Sequence, residues 1–418
     1  MMGINFDEWQ NYIKYGIKYL GEGNTAEAES FFKKSLQEAE KYGNLVFIAF
    51  SLRLLSTAQV KNRKFELAEK GFRKALIYCE KLENRKGISE ATAGLGSVYY
   101  CLELYDQAEK WYERAIEAYP EDASRIRLAM LYTDLGNVYS KTRRWEKAEL
   151  LFQRACQICE RSSFSKGQGE LMLLLGEVYY GQGECSKAKK YFSEAARIFA
   201  VIEDWYFLAN ALQHLAFILL EEGRYHEALL YLNRAICIYA KQEASGELSE
   251  SYYLLANICQ NLKLLDEAEA SVFTSMKFYR GDDLGYAIRF QMIAIISILK
   301  KKYEKAKEHY SEALRYYQRF GDSLKIGEIC EELTYLLKYE NLFQENFVDL
   351  LSLRSQNAKL PKHKLMFYFA LAMEGTGKNM NALKFGWKAL ELAKLLEDET
   401  EEIETFIQEL SQKIRRNK

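Results

Sequence analysis

The chain has 418 residues, 58 Lys and Arg against 59 Asp and Glu, a formal net charge of −1, and only 2 prolines. That balance argues against nucleic acid as the partner, which calls for a basic excess or stripe. No stretch approaches the roughly 18 apolar residues of a membrane span. Met1 to Glu8 lacks the basic start and apolar core of a secretory signal. Eight cysteines are scattered along the chain with no metal-site spacing, so a reducing, cytoplasmic setting is expected.

In chain order, the first repeat runs from about Trp9 to Gly43, with Tyr15-Gly16 in one predicted helix and Ala28 in the next. The second, about Leu45 to Leu82, carries Ser56 at the glycine position and Ala68. Three regular repeats follow. They present Leu95-Gly96, Tyr99, Ala108 and Tyr112, then Leu135-Gly136, Tyr139, Ala148 and Phe152, then Leu175-Gly176, Tyr179, Ala188 and Phe192. The sixth (about 206 to 241) uses Leu215-Ala216 and Ala228, the seventh (about 247 to 280) Leu255-Ala256 and Ala268. The eighth (about 285 to 320) uses Ile293-Ala294 and Ala306, two residues early. Alanine thus recurs every forty residues from Ala28 to Ala268, and a fixed period of this size marks a repeat architecture.

After Gly321-Asp322 the register decays. Residues 323–339 and 341–356 keep a helical pattern, and Lys359-Leu360-Pro361 breaks it. A late repeat recovers at Phe369-Ala370, Ala382, Gly386 and Ala389-Leu390. Asp398 to Arg415 reads as an amphipathic capping helix, which the end of a solenoid needs. The expected division is eight repeats over 1–322 and degenerate repeats with a cap over 323–418, without a linker.

Each repeat reads as a helical hairpin. Leu95, Gly96 and Tyr99 share one helix face, as do Ala108, Tyr112 and Ala115. Glu103 to Tyr105 leaves room for a tight turn, where other repeats place Gly23, Gly183 and Gly223. Ser162-Ser163 and Pro120-Glu121-Asp122 are expected to supply turns and N-caps. Gly96 and Ala108 are small so that two helices can approach.

This pattern resembles the tetratricopeptide repeat family, carried by Tyr132, Leu135-Gly136, Tyr139, Ala148 and Phe152. Tyr stands where the family usually has Trp, and the family's late proline occurs once, as Pro120. The usual period is about 34 residues, so each repeat here has roughly six more, close to one extra turn per helix at about 1.5 Å per residue. The resemblance implies an all-α, right-handed superhelical solenoid of antiparallel helix pairs, with about twenty helices.

Catalytic signals are missing from the sequence. There is no phosphate-binding glycine loop, nucleophile elbow or zinc-protease motif, and no strand is expected. Cys156 and Cys159 form a C-x-x-C inside a predicted helix. Cys79 and Cys159 share a repeat position with Tyr119, Phe199 and Tyr239, which points to packing. The four histidines, at 214, 226, 309 and 363, make no motif. No enzyme activity, cofactor or metal is expected.

The resemblance implies that first helices line a concave binding surface. Its lining rule selects Arg53, Ser97, Tyr100, Thr133, Asn137, Lys141, Glu177, Tyr180, Asn210, Gln213, Tyr253, Asn257 and Gln260, with Glu90, Ala93 and Glu170 between them. Amides and tyrosines suit hydrogen bonds to a peptide backbone. The family's carboxylate clamp of Lys and Asn is not matched, because Thr133 and Tyr253 replace the Lys. The eighth repeat puts Ile288, Ile295, Ile298 and Leu299 where the groove should be, read as self-packing in preference to an apolar pocket. The expected function is a protein-interaction scaffold. The alternative is a bacterial signalling-peptide receptor, also of forty-residue repeats, whose superhelix controls a regulatory partner. Such receptors carry an N-terminal bundle or helix-turn-helix, for which a first repeat starting near Trp9 leaves no room. Partner identity and oligomeric state are not readable from the sequence.

Overall fold

The computed structural model describes residues 6–322 and 401–416, with Lys325 and a few isolated positions between 382 and 394. The described residues form seventeen helices and no strand. By compactness the chain divides into Met1–Ile218 and Leu219–Lys418.

The first compact unit holds α1 (Phe6–Gly21), α2 (Thr25–Lys41), α3 (Leu45–Lys61), α4 (Phe65–Lys81), α5 (Arg85–Cys101) and α6 (Tyr105–Glu117). It continues with α7 (Arg125–Lys141), α8 (Trp145–Arg161), α9 (Ser165–Gly181), α10 (Cys185–Val201) and α11 (Trp205–Glu221) through Ile218. The second holds α12 (Tyr225–Lys241), α13 (Ser245–Asn261), α14 (Leu265–Phe278), α15 (Asp283–Leu299), α16 (Tyr303–Phe320) and α17 (Glu401–Arg416). From α2 to α14 every helix starts twenty residues after its predecessor. The forty-residue repeat is therefore two equal halves.

The joints explain the metre. A left-handed residue follows most helices: Gly23, Gly43, Arg63, Glu83, Glu103, Arg143, Ser163, Gly183, Glu203, Gly223, Glu243 and Lys263. The next backbone N–H then bonds five residues back, as Lys64 N does to Gln59 O at 2.8 Å and Arg144 N to Tyr139 O at 2.8 Å. This closes the orphan carbonyls at the helix end. The rhythm fails at Tyr119–Ser124, where Pro120 intervenes and α6 stops short. The expected serine N-caps do not form. Ser162 is the C-cap of α8, Ser163 takes the left-handed turn, and Ser124 at the start of α7 makes no capping bond. Asn44, Asn84 and Asp282 cap instead, accepting from backbone N–H groups of α3, α5 and α15.

Packing follows the small-residue ladder. Ala28, Ala68, Ala108, Ala148, Ala188, Ala228, Ala268 and Ala306 have no exposed surface. A Cβ added at Gly96, Gly136 or Gly176 would lie 2.8, 2.5 or 2.6 Å from the ring of Tyr112, Phe152 or Phe192. In the second repeat Ser56 replaces that glycine, and the gap moves to its partner helix. A Cβ added at Gly71 would lie 2.1 Å from Ser56 Oγ.

Charged residues tie neighbouring repeats together. Tyr99 Oη donates to Glu69 Oε1 at 2.7 Å, and Tyr179 Oη to Glu149 Oε1 at 2.6 Å. Arg144 bonds Glu109, Lys64 and Asn62 bond the buried Glu29, and Lys300 bonds Glu269 and Asp266. The turns at 61–64, 143–144 and 300–302 each carry several cations. One member of each reaches back to a carboxylate of the preceding repeat. In the second compact unit the buried Arg289 bonds Ser249, Ser275 and Glu250 and stacks 3.9 Å over Tyr279.

Ile403, Phe406, Ile407 and Leu410 of α17 are buried in one cluster with Ala382, Ala389 and Leu390. The expected helices over 323–356 and the break at 359–361 lie outside the described residues, as does Cys330. Cys79, Cys156, Cys159 and Cys259 are buried free thiols, and burial pushes the Cys156 thiol up to about 12. Phe199 and Tyr239, at the position of Cys79 and Cys159, are fully buried, whereas Tyr119 at the broken joint is only half-buried. No helix among the described residues is long and apolar enough to cross a membrane.

Candidate binding groove

In the first compact unit α5 touches α3 and α7 as well as α4 and α6. In this unit α3, α5 and α7 thus lie side by side, and Arg53, Ser97, Tyr100, Thr133, Asn137 and Lys141 sit along them at forty-residue register. Arg53 is held within the protein, its Nη2 2.5 Å from Glu90 Oε2 and its guanidinium 5.3 Å over Phe50. Ala93 is buried against Ala115 and Leu131, so this selected position is core and not lining. Ser97 Oγ donates to Ala93 O at 3.1 Å and lies 3.1 Å from Tyr112 Oη. Thr133 Oγ1 donates to Ala129 O.

The remaining residues link across helices. Tyr100 packs edge-on against Tyr105, and Tyr180 edge-on against Phe217. Burial raises the carboxyl of Glu177, and Lys141 opposes that shift. His214 Nε2 lies 3.7 Å from Glu177 Oε1, and the His214 ring stacks on Phe192 at 4.6 Å. Burial lowers the His214 pKa to about 4, so the ring is neutral near pH 7 and this contact is not an ion pair. Burial likewise raises Glu170, with Lys166 opposing. Asn137 and Asn210 are half-buried and make no side-chain hydrogen bond among the described residues. Gln213 is half-buried.

In the second compact unit Tyr253 lies under Arg289, 5.4 Å from ring to guanidinium. Asn257 Nδ2 donates to Tyr253 O at 3.1 Å, and Gln260 is half-buried. Ile288, Ile295 and Ile298 pack on the Ala294, Ala306 and Tyr310 core, while Leu299 stays half-exposed. The C-terminal segment read as their cover lies largely outside the described residues.

Two further polar residues lie outside the lining rule. Asp134 and His214 occupy one register position, filled elsewhere by Lys14, Leu54, Gly94, Leu174 and Leu254. Burial pushes the Asp134 carboxyl up to about 6, partly opposed by Arg127. Lining up the repeats column by column brings both into view, because Leu54, Gly94, Leu174 and Leu254 share their column. Among the described residues no cluster of His, Cys, Asp and Glu is arranged to hold a metal.

No curated protein sequence matches the chain. Among solved structures it is similar to the apo form of the quorum sensor NprR from B. thuringiensis, at 15% identity and a TM-score of 0.58 over 83% of this chain and 97% of that one. The apo form of RapI gives 15% identity and 0.51 over 65% and 98%. A signal-transduction ATPase with numerous domains and a tetratricopeptide repeat sensor, from Pyrococcus horikoshii, gives 16% and 0.51 over 96% of this chain and 55% of that one. At these identities the likeness establishes the fold. Models of the tetratricopeptide repeat match residues 52–121, 88–161 and 167–241, and a second model of it matches 249–272. These matches fall on the alanine ladder and paired helices described above and together span half of the sequence; the chain belongs to the tetratricopeptide repeat family.

Proposed function

We propose that this chain is a non-enzymatic interaction scaffold whose first helices hold an extended or helical segment of a protein or peptide. The observation that carries this reading is a pair of amide side chains on first helices that no other protein group engages. Asn137 and Asn210 present amides without intramolecular partners, whereas the tyrosines tying repeats together are fully engaged. An amide offers a donor and an acceptor together, matching a peptide unit. Residues 1–322 then supply eight repeats, and residues 323–418 degenerate repeats closed by α17.

The second reading is a signalling-peptide receptor acting on a regulatory protein. It is favoured by the likeness to NprR, a quorum sensor, over most of this chain. The two readings separate on the size of the ligand. Capture from native lysate with the full chain, followed by mass spectrometry of both proteins and small peptides, identifies it. Asn137→Ala is then expected to weaken binding by about 0.5–1.5 kcal/mol, the net worth of a typical hydrogen bond. Full affinity in Asn137→Ala and Asn210→Ala, with loss in an outer-face variant such as Lys110→Ala, would falsify the groove assignment.

A further inference from the structure

A helix at a protein surface ordinarily keeps charged residues on its exposed side. Helix α11 does not. From Trp205 to Leu220 it carries no Asp, Glu, Lys or Arg. Leu208, Leu212, Leu215 and Leu219 are buried, which leaves Tyr206, Asn210, Gln213 and Phe217 along one stripe away from the core. Tyr206 and Phe217 at its two ends are each 37% exposed, and the two amides between them are half-buried. The same four register positions hold Lys86, Glu90, Ala93 and Ser97 in α5, and Lys166, Glu170, Leu173 and Glu177 in α9. Helix α7 interleaves Arg127, Asp134 and Lys141 with its own stripe.

The stripe is held from the side by α9. The Tyr180 ring meets the Phe217 ring edge-on at 5.6 Å and 74°, and one turn earlier Glu177 Oε1 lies 3.7 Å from His214 Nε2. At the start of α11 the charges of Lys166 and Asp204 are paired with each other at 2.9 Å. Packing does not require an aromatic ring at position 217, because Ser97, Asn137 and Glu177 hold that position in the three preceding repeats. Asn210 keeps its amide unengaged two turns before Phe217.

We propose that the α11 face from Tyr206 to Phe217 receives an uncharged, apolar-rich stretch of the bound segment. The inference rests on the groove reading above and adds the chemistry of its ligand. The absence of charge names the occupant. A charged side chain laid on this face would lose its water and find no partner, whereas an apolar one gains by leaving water. Tyr206 and Phe217 stand eleven residues apart on one helix, roughly 16 Å at about 1.5 Å per residue, which an extended chain covers in about five residues. The bound stretch therefore carries two apolar side chains about five residues apart, one over each ring. Asn210 meets a peptide unit between them.

The probe is a positional-scanning library of N-acetylated heptapeptide amides, whose only charges are on side chains, applied to the full chain. Wild type is expected to select Leu, Ile, Met or Phe at two positions about five residues apart and to reject Asp, Glu, Lys and Arg there. Phe217→Ser, which places in α11 the residue that α5 has at this position, should weaken the selected peptides about tenfold and erase the preference at one of the two positions. Tyr206→Ser should do so at the other, and Phe217→Leu should retain most of the binding. Thermal melting by circular dichroism accompanies each variant, and Phe217→Leu with wild-type melting but no apolar preference would overturn the assignment. Selection of a charged residue at these positions, or equal loss for all peptides in Phe217→Ser, also overturns it. So does a dimer in sedimentation that Phe217→Ser dissociates while peptide selection is unchanged, since a second copy would then cover the face. If Asn137→Ala weakens binding and the Phe217 and Tyr206 variants do not, the groove reading stands and the α11 stretch fails. If none of these variants changes binding, or the library does not bind, both fail.

Discussion

Ala148 has no exposed surface and shares a core with Leu135, Val138 and Phe152. Added volume there cannot be absorbed by solvent. Ala148→Leu is expected to destabilise the protein by roughly 1–3 kcal/mol, read from chemical denaturation; an unchanged midpoint would remove the close-packing role. This alanine was legible because close approach admits few residue types. Its neighbour Glu149 was not, although Glu29, Glu69, Glu109, Glu149 and Glu269 each follow a ladder alanine. A glutamate on a helix reads as solvated until its partners are in view. Glu29 shows the consequence. Burial raises its pKa, but bonds from Lys64, Lys33 and Asn62 outweigh that and bring it to about 2. A depressed folded-state value means stability present above the unfolded pKa near 4.5 and lost as pH falls toward 2. Glu29→Gln should therefore lower the melting temperature at pH 7, and the gap to wild type should close by about pH 2. A gap independent of pH would mean the carboxylate charge is not what matters.

At the scale of helices, the twenty-residue metre rests on one left-handed residue per joint. Several joints were legible through Gly23, Gly183 and Gly223, but most place Arg, Glu, Lys or Ser there. Sequence gives no warning of those, because nothing in a glutamate's chemistry asks for positive φ; the closing hydrogen bonds of the joint impose it. An L side chain in this conformation costs about 1 kcal/mol relative to glycine. Gly183→Ala, whose Cβ would meet open space, should thus destabilise by about 1 kcal/mol, and Arg143→Gly should be neutral or stabilising. Arg143 is exposed and its neighbour Arg144 makes the bond to Glu109, so the substitution tests backbone conformation alone. Destabilisation by Arg143→Gly would show that the side chain, not the turn, holds that joint. The missing serine caps have the same origin: the turn leaves one residue between the left-handed position and the next helix, and Ser163 occupies the left-handed position itself.

For the chain as a whole, repetition makes stability a sum of each repeat and its interfaces with the next. That arithmetic favours regular columns, as the ladder of buried alanines from Ala28 to Ala268 shows. Much of the architecture was readable because the forty-residue period encodes it, while the candidate site was only partly readable, since the lining rule selects positions along a helix but not which side chains the core already engages. Arg53 is the clear case: its position fits the rule, yet Glu90 holds it. Lys141 is exposed on the first-helix layer, and Lys110 is exposed on α6, a second helix beside Trp111. The most direct measurement is amine acylation of the full chain with and without its captured ligand, read lysine by lysine by mass spectrometry. Binding along the first helices predicts slowed modification of Lys141 with Lys110 and Lys147 unchanged; protection of Lys110 and Lys147 with Lys141 still reactive would contradict it.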